Sequence, residues 1–499
     1  MANSSHSPAA SSIGTMHTGQ FTSLLELAGE PAGGSVLAAS DDFFAEKENL
    51  IKAPDPVFLP GKYTDRGKWM DGWESRRRRV AGNDWAVVRL GIPGIIRGVV
   101  VDTRHFTGNY PAQVSVEACT AALNTRVEDL LDWIELIPRS PVSGDSRNCF
   151  QATETQRLTH VRLNIFPDGG VARLRIYGEA IPDWRNFGPE IDLAAAECGA
   201  TIIGSSDHHY GHPQHLIMPG PGRNMEDGWE TRRRRGPGHD WVILRLAAEG
   251  MIERVVVDTT HFKGNFPDAC SLEVSSTGEE GSWIEVLPSH KLQAHSSHVF
   301  RPIPAPDLTA RFARFHIYPD GGVSRLRLYG RMSKEGRIHA NLTALNAAVK
   351  KQAVADFIRC GGSTAWANEI AGGRPYAGLQ ALETAADRAW GCCSREDWLE
   401  AFSSHPRIGQ AADGKWSQEE QARAADAGIG TLNGLEELNV RYSEKFGYSF
   451  IVCATGKTAE ELLGILRRRL ESNLEDEILN AAEEQRAIAR QRLRKLLSE

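Results

Sequence analysis

Two textures of apolar and polar positions divide the chain. In the first two thirds, apolar residues fall at every second place in short runs, as in Val161-Arg162-Leu163-Asn164-Ile165 and Arg173-Leu174-Arg175-Ile176-Tyr177. That spacing turns one side of a strand to a core and the other to water. Gly, Pro, Asn and Asp separate the runs and a helical period is scarce, so the pattern predicts short strands in an all-β sandwich or jelly roll. From about residue 341 Ala, Leu, Glu and Arg dominate, and the spacing becomes helical through Leu462, Leu463, Leu466, Leu470, Leu474, Ile478 and Ile488. Capping-box patterns at Ser394…Asp397, Ser417…Glu420 and Thr458…Glu461 mark helix starts. Residues 333–339 read as a polar linker into this all-α helical bundle.

The β part is internally doubled. Asp71-Gly72-Trp73-Glu74 with the arginines 76–79 recurs as Asp227-Gly228-Trp229-Glu230 with the arginines 232–235. Asp102-Thr103, His105-Phe106 and Gly108-Asn109 recur as Asp258-Thr259, His261-Phe262 and Gly264-Asn265. Trp133-Ile134-Glu135 meets Trp283-Ile284-Glu285, and Pro167-Asp168-Gly169-Gly170 meets Pro319-Asp320-Gly321-Gly322, the Asp-Gly-Gly stretches reading as turns between the last two strands. One repeat unit is a domain long, too long for a solenoid. The boundaries that follow are a disordered Ser- and Ala-rich tail at 1–20, repeats at 21–182 and 183–334, and the helical domain at 335–499.

Composition narrows the class of function. The net charge of −7 argues against nucleic acid as the partner. No apolar run approaches a membrane span, and the first twenty residues lack the apolar core of a secretory signal. The eight cysteines (119, 149, 198, 270, 360, 392, 393, 453) show no ligand spacing and read as reduced thiols of a cytoplasmic protein. A homo-oligomer is left open.

The candidate chemistry in the repeats is cationic and proton-transferring. Alternate arginines of each run suit pairing with acids, the rest being solvated. The loops holding Asp102, His105 and Asn109, and Asp258, His261 and Asn265, place polar groups at a strand end, where function concentrates. Asp207-His208-His209 with His212 and His215 invites a metal reading, although its counterpart Asp41-Asp42-Phe43-Phe44 has no histidine.

These doubled motifs resemble the allantoicase family over residues 21–332. The resemblance implies two jelly-roll domains and hydrolysis of allantoate to ureidoglycolate and urea. Such a site needs a cation for the carboxylate, an acid or hydrogen-bond donor for the departing urea and a base for water. His105 and His261 are the candidates for proton transfer, and Asp102, Asp258, Asn109 and Asn265 for substrate binding. Whether a divalent metal takes part is left open.

In the helical domain Trp366, Arg374-Pro375-Tyr376, Ser404-His405-Pro406-Arg407-Ile408-Gly409, Ser417-x-x-Glu420-Gln421, the stretch from Leu438-Asn439 to Val452, and Arg469-Leu470 follow in order. They resemble 2-oxo-4-hydroxy-4-carboxy-5-ureidoimidazoline (OHCU) decarboxylase. The resemblance implies a pocket lined by His405, Glu420, Gln421 and Arg469, with Pro406 and Ser417 beside them, His405 and Glu420 being catalytic. The triple Arg467-Arg468-Arg469 leaves the register of the last open by one residue. The substrate's carboxylate sits beside a ring C=N bond that can take up electrons as carbon dioxide leaves, so no cofactor is expected. The expected whole is a bifunctional enzyme of ureide breakdown acting on small molecules. The alternative makes one half non-catalytic, as a ligand-binding jelly roll or a helical dimerisation unit.

Overall fold

A computed structural model describes residues 20–304, 308–404 and 429–499. The expected tail lies outside them except for Gln20, which opens the short turn Gln20–Ser23.

One 19-residue strand organises each repeat, Asp84–Asp102 in the first and Asp240–Asp258 in the second. Gly91, Pro93 and Gly94 interrupt the alternation of the first, yet it does not end there. It instead bends there and serves two layers. Its first half pairs antiparallel with Leu158–Phe166 and Ser35–Ala39, and its second half with Arg173–Ala180 and Arg147–Gln151. A Cβ on Gly91 would meet the Ala32 carbonyl oxygen at 2.2 Å, so the bend requires glycine. Val88, Leu90, Ile92, Val99 and Val101 point from this strand into a core continuous through both repeats. The second repeat copies the topology, with Ala310–Tyr318, Thr201–Ser205, Arg325–Met332 and Ser297–Phe300 as partners.

The Asp-Gly-Gly stretches do join the last two long strands of each repeat, with Gly169 at φ 139° and Gly321 at φ 137°. Beside them the peptide N–H of Gly170 donates to Asn109 O at 2.7 Å, and a Cβ there would meet the Phe106 ring at 2.0 Å.

The described residues of the last third form eight helices, Lys334–Ala347, Lys350–Gly361, Thr364–Gly372, Leu379–Gly391, Arg395–Ser403, Ile429–Phe446, Ala459–Arg469 and Leu474–Ser498. The capping boxes at Ser394 and Thr458 are both closed, while that at Ser417 lies outside the described residues. Residues 333–339 are not a linker. Ser333 caps the helix Lys334–Ala347 and its hydroxyl donates to Glu249 of the second repeat at 2.8 Å. At the far end Ala347 O accepts from the Arg157 N–H of the first repeat at 2.7 Å, and Ala347 packs with Ile95 and Ile181. A polar stretch is helical here because its polar groups meet the repeats and not solvent alone. No helix among the described residues is long and apolar enough to cross a membrane. All eight cysteines are free, and burial pushes Cys270 and Cys360 up to about 12.

Two glycines from different repeated motifs separate packing from flexibility. Gly170→Ala drives a methyl into Phe106 and is expected to destabilise by about 1–3 kcal/mol. Gly108→Ala, with nothing within 4 Å, should change stability by less than about 0.5 kcal/mol. Thermal melting of the two variants checks the difference.

Candidate functional site

The site loops are assembled by a buried arginine in each repeat. Arg173, 1% exposed, donates from Nε to Pro54 O at 3.0 Å, from Nη1 to Asp71 O and Ala172 O at 3.1 and 2.7 Å, and from Nη2 to Asp71 Oδ2 at 2.9 Å. Arg325 makes the matching bonds to Gly220 O, Asp227 O, Ser324 O and Asp227 Oδ2. These contacts bring the Asp-Gly-Trp-Glu stretch and the loop after residue 53 or 219 to the end of the long strand.

There His105 and His261 hold φ of 71° and 76°, a region non-glycine residues rarely occupy and one that surrounding contacts must impose. The His105 N–H donates to Asp145 Oδ1 at 2.8 Å, and its Nε2 donates to Pro56 O at 3.0 Å. His261 Nε2 likewise donates to Gly222 O at 2.9 Å. A carbonyl only accepts, so each ring keeps its proton on Nε2 and offers Nδ1 as the acceptor.

Asn109 and Asn265 are brought onto acids that the sequence reading passed over. Asn109 Nδ2 donates to Glu74 Oε1 at 2.7 Å, and Asn265 donates to Glu230 in the same way. Burial raises the Glu74 carboxyl above its ordinary value, against the opposing pull of Asn109 and Lys68. The signal was present as the fourth residue of a motif kept in both repeats, with the neighbouring arginine run drawing the attention.

Asp102 and Asp258 are not equivalent. Asp102, 3% exposed, accepts Arg104 Nη2 at 2.7 Å, and Asp55 bridges Arg104 at 2.8 Å to Arg147 at 2.9 Å. The second repeat has Thr260, Pro221 and Ser297 at the matching places, and the Asp258 carboxylate accepts the Thr260 N–H at 2.8 Å with no charged partner among the described residues. The arginine runs alternate as expected. Arg76 pairs with Asp41, Arg78 with Asp84, Arg232 with Asp207 and Arg234 with Asp240, while Arg77, Arg79, Arg233 and Arg235 are exposed.

In the histidine-rich loop, Asp207 is occupied by Arg232, His212 Nδ1 accepts the Gln214 N–H at 3.2 Å, and His215 Nδ1 meets Gly228 O at 3.2 Å. Burial holds both histidines below their ordinary value. No group of three or more His, Cys, Asp or Glu among the described residues is placed to hold a metal.

In the helical domain His405, Pro406, Ser417, Glu420 and Gln421 lie outside the described residues. Of the three consecutive arginines, Arg467 and Arg468 are exposed and Arg469 is buried. Arg469 donates from Nε to Glu477 Oε1 and from Nη1 to Ile451 O, both at 2.6 Å. Its Nη2 has the Tyr442 hydroxyl at a long 3.4 Å as its partner among the described residues. Arg374 has a structural task, donating to Leu345 O at 2.6 Å and Ala348 O at 2.8 Å and so satisfying the end of the helix Lys334–Ala347.

Comparison with known proteins gives the following. The family model described as "Allantoicase repeat" matches residues 25–181 and 191–333, and that described as "OHCU decarboxylase" matches residues 346–494. A probable allantoicase of Burkholderia pseudomallei is 45% identical over 320 residues, covering 62% of this chain and 95% of its own. A probable allantoicase of Rhizobium meliloti is 46% identical over 327 residues, covering 62% and 94%. The crystal structure of allantoicase from Saccharomyces cerevisiae matches at a TM-score of 0.55 and 35% identity, covering 62% of this chain and 96% of that one.

The paired and unpaired arginines separate in stability. Arg78→Ala strands Asp84, which is 1% exposed, and should destabilise by about 3 kcal/mol. Arg77→Ala with Arg79→Ala should shift stability by less than about 0.5 kcal/mol each, read from urea unfolding midpoints.

Proposed function

The chain belongs to the allantoicase family and carries an OHCU decarboxylase domain at its C-terminal end, and on that premise we propose a bifunctional enzyme of ureide breakdown. The repeats hydrolyse allantoate to (S)-ureidoglycolate and urea. The helical domain decarboxylates OHCU to (S)-allantoin. The two steps are not adjacent, since the allantoin ring must be opened between them, so the fusion implies no direct transfer.

For the hydrolysis, the observation that carries the reading is the Glu74–Asn109 junction, where a carboxyl with a raised pKa meets the two repeated motifs. Water bonds to the central carbon of allantoate, the bond from that carbon to one urea nitrogen breaks, the base takes a proton from the water and the acid gives one to the departing urea. Glu74 is suited to keep and deliver that proton, and His105 Nδ1 to take the one from water. Arg147, exposed beside Asp55, is suited to the substrate's carboxylate. His261, Asn265 and Asp258 form the corresponding, less cationic set, so the first repeat is the better catalytic copy. For the decarboxylation, His405 is the acid/base and Glu420 and Gln421 take the substrate's N–H groups. Arg469 Nη2 takes its oxygens, and no cofactor is needed.

Glu74→Gln should lower urea release from allantoate by at least about 10²-fold. A carboxyl raised in the folded state contributes stability at low pH that is lost as pH rises through its folded value. The glutamine, which cannot ionise, should therefore melt at or above wild type at pH 8. If His105→Ala and His261→Ala both keep near wild-type turnover, these loops are not the site. Repeating the assay with chelator reads whether a divalent cation takes part.

His405→Ala should lower OHCU decarboxylation by about 10²–10⁴-fold in a folded chain. The readout is the rate together with the enantiomeric purity of the allantoin, because the substrate also loses carbon dioxide unaided. Racemic allantoin formed by the wild-type chain at the uncatalysed rate would overturn this half of the reading.

A further inference from the structure

The second repeat has a hollow of about 350 Å³ formed over its long strand, Ala269–Ser275 and Ala310–Tyr318. A hydrogen-bonded row lies along it. His316 Nε2 is 2.8 Å from Glu273 Oε2, and His316 Nδ1 is 2.8 Å from His239 Nε2. An ionised carboxylate only accepts, so His316 Nε2 carries its proton, His316 Nδ1 accepts, and His239 Nε2 donates to it. His239 Nδ1 then remains as a lone pair with no partner among the described residues. Burial favours the neutral form of His316, and although burial opposes it, bonding from His316 and Arg314 holds Glu273 ionised.

The first repeat contains the same wiring without the titrating rings. Asn164 Nδ2 donates to Glu117 Oε2 at 2.8 Å, and Asn83 Nδ2 reaches Asn164 Oδ1 at 3.4 Å. Arg162 takes the place of Arg314 on the acid, at 2.8 Å against 2.7 Å. Phe166 stands at the position of Tyr318, whose hydroxyl bonds Ser271 Oγ at 2.9 Å. The fold therefore does not require histidines here. They are a difference confined to one copy.

We propose that this hollow is a binding site for a small neutral ureide, separate from the loops assigned to hydrolysis. The ligand class follows from the lining and does not depend on the hydrolytic reading. His239 Nδ1, Glu273 and the exposed Glu285 offer acceptors to a ligand rich in N–H groups. Arg314 and the Tyr318 hydroxyl offer donors to its carbonyls, and the Trp241 indole offers a flat wall. Glu280 lies 3.5 Å from Arg314, so acids outnumber the cation and a free carboxylate is disfavoured.

Calorimetry of the full chain with allantoin, a neutral ureide, and with allantoate, its carboxylate counterpart, tests this. The comparison is wild type against the double variant His239→Asn, His316→Asn, which installs the first repeat's own wiring. Wild type should bind one more equivalent of allantoin than the variant. The variant should keep its melting temperature and its urea release. Identical isotherms for the two chains would overturn the proposal, as would allantoate filling the site as tightly as allantoin. Failure of the hydrolytic reading would appear separately, as wild type that releases no urea.

Discussion

A buried guanidinium that must be fully satisfied is the constraint on which each repeat's functional end depends. Removing a cation from water is tolerable only when hydrogen bonds and an anion replace the solvent. Arg173 meets that demand by drawing Pro54, Asp71 and Ala172 around itself, three segments remote from one another in sequence. Arg325 does the same with Gly220, Asp227 and Ser324. The loops are irregular, yet their placement follows from the geometry of one planar side chain with directed donors.

Much of this was readable beforehand where a local rule has a local cause. Alternation marked the strands, helical spacing marked the last domain, and alternate arginines paired because successive side chains of an extended segment face opposite ways. Reading failed where the cause was distant. Residues 333–339 look like a linker until Glu249 is seen to bond their cap. Glu74 sat in a motif already noticed, yet its raised pKa comes from burial, against the pull of a partner 35 residues away, and no spacing displays burial.

The two repeats diverge in a physically graded way. Their fully buried anchors correspond, Trp73 with Trp229 and Phe106 with Phe262, because close packing resists substitution. Their polar networks do not. The bridge of Asp55, Arg104, Arg147 and Asp102 gives way to Pro221, Thr260, Ser297 and an Asp258 without a charged partner among the described residues. A network at the rim can lose a member without leaving a void, so chemistry drifts there while the sandwich is retained.

The helix Lys334–Ala347 has a mechanical consequence. It spans about 21 Å, with one end fastened to each repeat, and the rest of its domain folds back upon it. It acts as a strut, so the third domain is not a bead on a flexible thread. The orientation of the two halves is set by the same bonds that hold the repeats to one another. Rotational diffusion should thus report a single body, and a fragment boundary drawn through the strut would loosen both pieces it was meant to separate.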